Sequence, residues 1–436
     1  MHQPAPGIYR STDSEPTPFS LTPTAFPEFE KSTLDNGVRV VTERIPSVRS
    51  VSVGVWIDTG SRDEEASESG ISHFIEHMVF KGTNKRRMHQ IAQRMEAVGG
   101  YLNAFTAKEY TCYYARALDE YLARAIDTVC DLVLSPSFPE REMGKEKDVV
   151  VEEMRMYEDA PEELIFDRFE SVLYPDHPMG RPVIGFEETV RTFTRDQLLG
   201  YVGRRYTPNR LVVSVAGNVS HKRVVSLVEK AFLTVRAKSP TALRAPVQSS
   251  VARHVRESRG IQQAHLVMGR QALDVFDDRR IPMSVLNTIV GGGMSSRLNQ
   301  NIREKYGYCY QIYSFNNLYS DTGEFGIYMG TDATKVDRAQ KLIFKELDKL
   351  AQTAVSDRML KQAKSQVKGS IMLGLESMGS RMMRLGRQEL YYGKYVSLDD
   401  ILEQVDSVTK EEVLDLAQLL FRPADFSTVT LLPTAA

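Results

Sequence analysis

Cysteine is scarce in this 436-residue chain: there are three, Cys112, Cys130 and Cys309, far apart and without a CxxC pair. That excludes a disulfide framework and a cysteine-based metal site, and the expected compartment is the reducing cytoplasm. An excess of charge is also lacking. With 55 Lys and Arg against 57 Asp and Glu, no global field favours nucleic acid or an anionic membrane, so neither is expected as a partner and any charge-based recognition must be local. No run approaches the ~18 consecutive apolar residues of a membrane span. Residues 1–28 carry prolines at 4, 6, 16, 18, 23 and 27 and few apolar residues. They have neither the apolar core of a signal peptide nor the arginine-rich helix of a transit peptide, and read as a flexible tail. Gly291–Gly293 is followed by MSSRL; without GKS or GKT it is no phosphate loop.

What is present suits a two-domain enzyme, because a chain of this length exceeds what one core usually supports. TLDNGVRVVTERI shows an Asn36-Gly37 turn followed by apolar alternation, a hairpin signal, and SVSVGVWIDTGS (50–61) reads as a further strand. RAKSPTALRAPVQSS (236–250) loses periodicity between the strand-like LVVSVAGNV and QQAHLVMGR. It reads as a linker between domains at 29–235 and 251–436. Each half opens on a strand, continues through helices and then gives an aromatic-rich strand pair, GGYLNAFTAKEYTCYYARAL (99–118) in one and GYCYQIYSFNNLYSDTGEFGIYMGTD (307–332) in the other. The expected fold class is α+β: two homologous domains, each a mainly antiparallel sheet with helices packed on one face.

Histidine is scarce too, at eight residues, yet two stand in GISHFIEHMVFKGT (70–83) with a glutamate between them. Helical spacing puts His73, Glu76 and His77 on one face. Two imidazoles one turn apart suit a single Zn²⁺, with the glutamate beside them to accept a proton from the attacking water; this is the inverted form of HExxH. By itself the motif also fits a pair of helix-face histidines, and a third ligand decides. PEREMGKEKDVVVEEMRMYEDAPEE (139–163) reads as one helix opened by Pro139 and rich in acids. Glu146 and Glu153 lie two turns apart on one face, whereas Glu152 falls beside Asp148 and Arg155. Glu153 is therefore the expected third ligand and Glu146 the acceptor that orients a ligand, although a solvated position is the ordinary fate of glutamate.

HFIEHMVFKGT followed by EEM at this distance resembles the pitrilysin family of zinc peptidases, in particular the bacterial relatives of the mitochondrial processing peptidase β subunit. The resemblance runs from about residue 30 to the C-terminus through WIDTGSRDE, GGYLNAFT, HPMGRPVIG, TPNRLVVSVAGNV, AHLVMGR and SSRLNQNIREKYGYCY. It implies two homologous domains forming half of a clam-shell chamber, one Zn²⁺ per chain on His73, His77 and Glu153, Glu76 as base, and peptide substrates held as an added strand. It implies substrate contacts at Asn103 and Ala104, which alone read as part of an ordinary hairpin, and at Arg303 and Tyr310, which alone read as a helix end and a strand. Because that last pair reaches the zinc site from the opposite half of the chamber in the family, a homodimer or a heterodimer with a related chain is implied. Glu163 and Asp167 match an acidic pair that grips an arginine shortly before the cut, though a solvated pair is the simpler reading of those residues. Phe80 matches a position lining the pocket after the cut, and alone reads as core. The expected substrates are extended peptides cut two residues after an arginine and before an aromatic or large aliphatic residue. A non-catalytic scaffold or partner subunit, and a zinc amidase acting on small molecules, are the competing readings.

Overall fold

The computed structural model describes residues 28–233 and 244–434. The expected tail up to residue 27 and residues 236–243 of the expected linker lie outside the described residues. Alternation of apolar residues gives strands β1 (Glu28–Thr33), β2 (Arg39–Arg44) and β3 (Ser50–Ile57); β1 begins one residue inside the stretch read as tail. Gly37, at φ 98°, makes the β1–β2 turn in a conformation that costs glycine nothing. The hairpin β4 (Tyr101–Thr106) and β5 (Thr111–Leu118) and the strand β6 (Leu211–Gly217) complete a six-stranded sheet in the order β1-β2-β6-β3-β5-β4.

The second half repeats this plan. Its strands are β7 (His254–Arg259), β8 (Ala264–Ala272), β9 (Cys309–Leu318), β10 (Gly323–Thr331) and β11 (Ser427–Pro433), in the order β7-β11-β8-β10-β9. Position by position this is the first sheet without β1, down to one parallel pair in each, β2 with β6 and β7 with β11, among otherwise antiparallel neighbours. In both sheets the outer strand of the aromatic-rich hairpin, β4 or β9, is an edge.

β3 shows why the strands are apolar almost throughout. Val51, Val53, Val55 and Ile57 enter the main core of the first half, together with Phe74, Ile75 and Met78 of the helix Ile71–Val79. Trp56 points to the opposite face and packs with Met382 and Leu385 of the helix Met378–Tyr392, which belongs to the second half. The reciprocal exchange places Leu164, Ile165, Phe169 and Leu173 of the helix Pro161–Leu173 against Val267 of β8 and Val429 and Leu431 of β11. The single expected helical layer is thus supplemented on the other face by a helix from the partner half, and strands buried on both faces lose the in-out alternation that a half-exposed sheet would show. A further correction concerns the acidic helix, read as continuous from 139 to 163. It spans Glu140–Asp159 and ends at Ala160, where Pro161 removes a backbone donor and opens the next helix. Among the described residues no helix is long and apolar enough to cross a membrane.

Candidate metal centre

The helix Ile71–Val79 is entered through Gly70, at φ 91°, where a Cβ would come within 2.6 Å of the Ile184 carbonyl oxygen. The Glu64 carboxylate accepts the backbone N–H groups of Gly70 at 2.7 Å and Ser72 at 2.8 Å. Burial pushes Glu64 up to about 8, against those two hydrogen bonds. With Ile71, Phe74, Ile75 and Met78 in the core, the remaining stripe of this helix carries His73, Glu76 and His77. The two imidazole centroids are 4.6 Å apart.

Opposite them runs the helix Glu140–Asp159. Glu153 Oε2 lies 3.8 Å from His73 Nε2 and 3.4 Å from His77 Nε2. Three donor atoms, one from each residue, fall within 4.8 Å of one another. Tetrahedral zinc with bonds of ~2.0–2.2 Å needs donor–donor edges of about 3.3–3.6 Å, so the two imidazoles and one carboxylate fit the metal with only small adjustments. Glu146 Oε1 lies 3.0 Å from His77 Nδ1, and its Oε2 pairs with Lys81 Nζ at 2.6 Å. That contact orients the ring so that Nε2 faces the centre.

The electrostatics follow the geometry. Burial and the neighbouring His77 charge pull His73 down to about 4. Burial acts on His77 in the same sense, but hydrogen bonds to Glu146 and Glu153 outweigh it and raise His77 to about 9. The bond to His77 holds Glu153 below its ordinary range. Glu76 is raised by burial, partly offset by the Thr106 hydroxyl, which donates to Glu76 Oε2 at 2.6 Å. A carboxylate poised in this way can take up a proton and give it back.

Sequence reasoning missed Thr106, Lys81 and Glu64. Each lies in a stretch that carries the family resemblance, Thr106 ending GGYLNAFT, Lys81 in HFIEHMVFKGT and Glu64 ending WIDTGSRDE, but the pairing of Thr106 with Glu76 depends on the sheet edge meeting the histidine helix.

The other predicted residues divide into those gathered near the centre and those held apart. Asn103 is exposed and Ala104 buried on the edge strand β4. Phe80 closes the histidine helix and packs on the main core. Glu163 is exposed and Asp167 half-buried on the helix Pro161–Leu173. Both act, with Glu153 and Glu76, on the Tyr157 phenol. Burial, then Glu170, raises Asp167 to about 6. Arg303 and Tyr310 belong to the second half. Arg303 sits on the π-helical segment Asn299–Glu304, with Asn299 Oδ1 at 3.5 Å and Glu304 Oε1 at 3.6 Å. Tyr310, on the edge strand β9, is 78% exposed. Within one chain neither contributes to the cluster around His77.

Comparison with known proteins gives a consistent picture. Residues 39–187 match the family described as insulinase, peptidase family M16, and residues 192–367 match the peptidase M16 inactive domain. The chain is 43% identical over 393 residues to the uncharacterized zinc protease YmxG of Bacillus subtilis, covering 90% of this chain and 95% of that protein. It is 42% identical over 395 residues to an uncharacterized zinc protease of Streptomyces coelicolor, covering 89% and 86%. Among solved structures, a protease from Helicobacter pylori superposes with a TM-score of 0.88 at 24% identity, covering 94% of this chain and all of that one. A peptidase M16 inactive domain from Pseudomonas fluorescens superposes with a TM-score of 0.87 at 20% identity, covering 94% and 99%.

Proposed function

The chain belongs to peptidase family M16, and from that premise we propose that it is a zinc-dependent endopeptidase that hydrolyses unfolded or extended peptides in a two-lobed chamber. The observation that carries this reading is the convergence of His73, His77 and Glu153 donor atoms beside a Glu76 held by Thr106. The description of the second half as inactive agrees with it. The helix Arg280–Gly291, which occupies between β8 and β9 the place of the histidine helix between β3 and β4, carries no histidine or acid. A non-catalytic scaffold would have no need of an intact donor set.

Bound on His73, His77 and Glu153, one Zn²⁺ per chain would supply a Lewis acid and bring a water within reach of deprotonation at neutral pH. Glu76 accepts that proton on its carboxylate, which Thr106 keeps aimed, and returns it to the departing amine. The free edge of β4 receives the peptide backbone as an added strand beside Asn103 and Ala104. Arg303 and Tyr310 of a second copy close over the scissile carbonyl and stabilise its developing charge; a homodimer suffices for this, since one chain carries both halves of the machinery, and a related chain in a heterodimer would serve equally. Glu163 and Asp167 hold an arginine two residues before the cut, and Phe80 favours a large apolar residue after it. The buried, free Cys112, Cys130 and Cys309 suit the reducing cytoplasm assigned here.

The test is cleavage of an extended peptide library by the wild-type protein, with and without a chelator, alongside metal analysis of wild type and His77→Ala. Chelator-sensitive cleavage and loss of zinc in the variant are expected. Zinc-loaded protein that cuts no peptide would favour the scaffold reading, and equal zinc in both proteins would remove the ligand assignment.

A further inference from the structure

The turn Ala107–Tyr110, which directly follows Thr106, lines a cavity of about 910 Å³ between the two halves. Its carboxylates are Glu109, Asp167 and Glu170. Glu109 is engaged by Arg62 at 2.7 Å and by the Tyr391 hydroxyl at 2.8 Å, and Glu170 by Lys108 at 2.7 Å. Three arginines from the helices Arg280–Gly291 and Met378–Tyr392 line the same cavity: Arg280, Arg384 and Arg387.

Among the described residues none of the three meets a buried carboxylate. Arg384 Nη2 donates to the Val396 carbonyl, but Nε and Nη1 are buried without a hydrogen-bond partner. Arg280 Nη1 donates to the Asp277 carbonyl at 3.2 Å, and its guanidinium lies 5.6 Å from the Tyr392 ring centroid and 3.9 Å from the carboxylate of a fully exposed Asp278. Arg387 is exposed and, among the described residues, has no ion-pair partner. Both Arg280 and Arg387 act electrostatically on the Tyr392 phenol, so their charges share one end of the cavity. Asp278, Asp400 and Glu403 line a neighbouring cavity that shares Arg280 and Tyr392, and Asp400 is occupied in capping Ser397. Guanidinium groups that line a cavity without a buried carboxylate partner leave their charge uncompensated, and the planar fork matches a carboxylate.

We propose that Arg280, Arg384 and Arg387 form a subsite that holds a carboxylate of the bound peptide, the counter-charge that no buried carboxylate of the folded chain supplies. This rests on the peptidase reading for the identity of the ligand. The carboxylate comes either from the peptide C-terminus or from an Asp or Glu side chain.

The experiment uses the full-length, zinc-loaded Glu76→Gln protein, so that peptide binds without turnover. Binding of a fluorescent extended peptide is read by anisotropy in three forms: with a free C-terminal carboxylate, with a C-terminal amide, and with the amide plus an internal Glu. Amidation is expected to weaken binding about fivefold, the scale of one partly solvated charge-assisted contact. Recovery by the internal Glu assigns side-chain carboxylates as ligands as well, and no recovery assigns the terminus. Arg384→Gln and Arg387→Gln, each added to Glu76→Gln, are expected to abolish the discrimination. Arg384 also packs on Tyr395, so the exposed Arg387 supplies the variant least able to disturb folding, with unchanged thermal midpoints as the control. Equal affinity for the three forms, or discrimination that survives both substitutions, overturns the subsite. Discrimination by a zinc-loaded protein whose wild type cleaves nothing would instead overturn the peptidase reading and leave the subsite standing.

Discussion

Glu76 and His77 are neighbours in sequence with opposite tasks, and their surroundings separate them. Burial keeps Glu76 receptive to a proton, and Thr106 fixes its direction. Glu76→Gln preserves shape but removes the acceptor, so zinc content should stay at the wild-type level while kcat falls about 10²–10⁴-fold; activity near wild type would reject Glu76 as the base. His77 is surrounded by Glu146 and Glu153, which lift its value from 6.5 to about 9 in the metal-free protein. The charged ring therefore stabilises the metal-free fold fully below about pH 6.5, and the contribution fades as pH rises through about 9. His73, lowered to about 4, acts in the other sense: its contribution is present above 6.5 and lost as pH falls toward 4. Thermal midpoints of chelated protein should accordingly drop between pH 6.5 and 9, with a shallower drop in Glu146→Gln; a flat profile would show that the two glutamates do not hold a proton on His77.

At the level of elements, the helices exchanged between halves pack each half against the other, and one of them carries the acidic pair proposed to select arginine. Met378–Tyr392 sits so close to the first sheet that a Cβ on Gly386 would come within 2.2 Å of the Trp56 indole, and one on Gly54 within 2.4 Å of Met382 Sδ. Gly386→Ala should therefore cost about 1–3 kcal/mol through overpacking, despite alanine's better helix propensity, and urea denaturation would measure it. A neutral effect would mean that the indole can move aside. The reciprocal helix, Pro161–Leu173, carries Glu163 and Asp167. With Asp167 near 6, the preference for arginine over a neutral residue before the cut should be full well above pH 6 and decline below it. Glu163→Gln plus Asp167→Asn should abolish that preference, read as the ratio of kcat/KM values for matched peptides. The same ratio in wild type and the double mutant would dismiss the acidic pair.

For the whole molecule, the repeated sheet plan puts an edge strand in each half, with the candidate metal ligands beside β4, Arg303 before β9 and Tyr310 on it. Since Arg303 and Tyr310 make no contact with the cluster of their own chain, the composite site proposed above draws them from a second chain. Mixing His77→Ala with Arg303→Ala, each weakly active alone, should restore up to about a quarter of wild-type activity per chain, the share expected for random pairing with one intact composite site per mixed dimer. No recovery, in a mixture shown by native mass spectrometry to have exchanged subunits, would place the Arg303 contribution elsewhere.

His73, Glu76, His77 and Glu153 were legible in the sequence because helical spacing is a local rule: residues three, four or seven apart share a face whatever the rest of the chain does. The hairpins were legible for the same reason, through Asn36-Gly37 and period-two alternation. The strands buried on both faces concealed their partners, because continuous apolar runs such as β3 do not say which helix covers which side. Only the tertiary structure decided that Met378–Tyr392 covers the first sheet and Pro161–Leu173 the second, that Thr106 meets Glu76, and that three arginines line one cavity where the halves join. Those contacts depend on close packing between segments up to hundreds of residues apart, for which no periodicity along the chain exists.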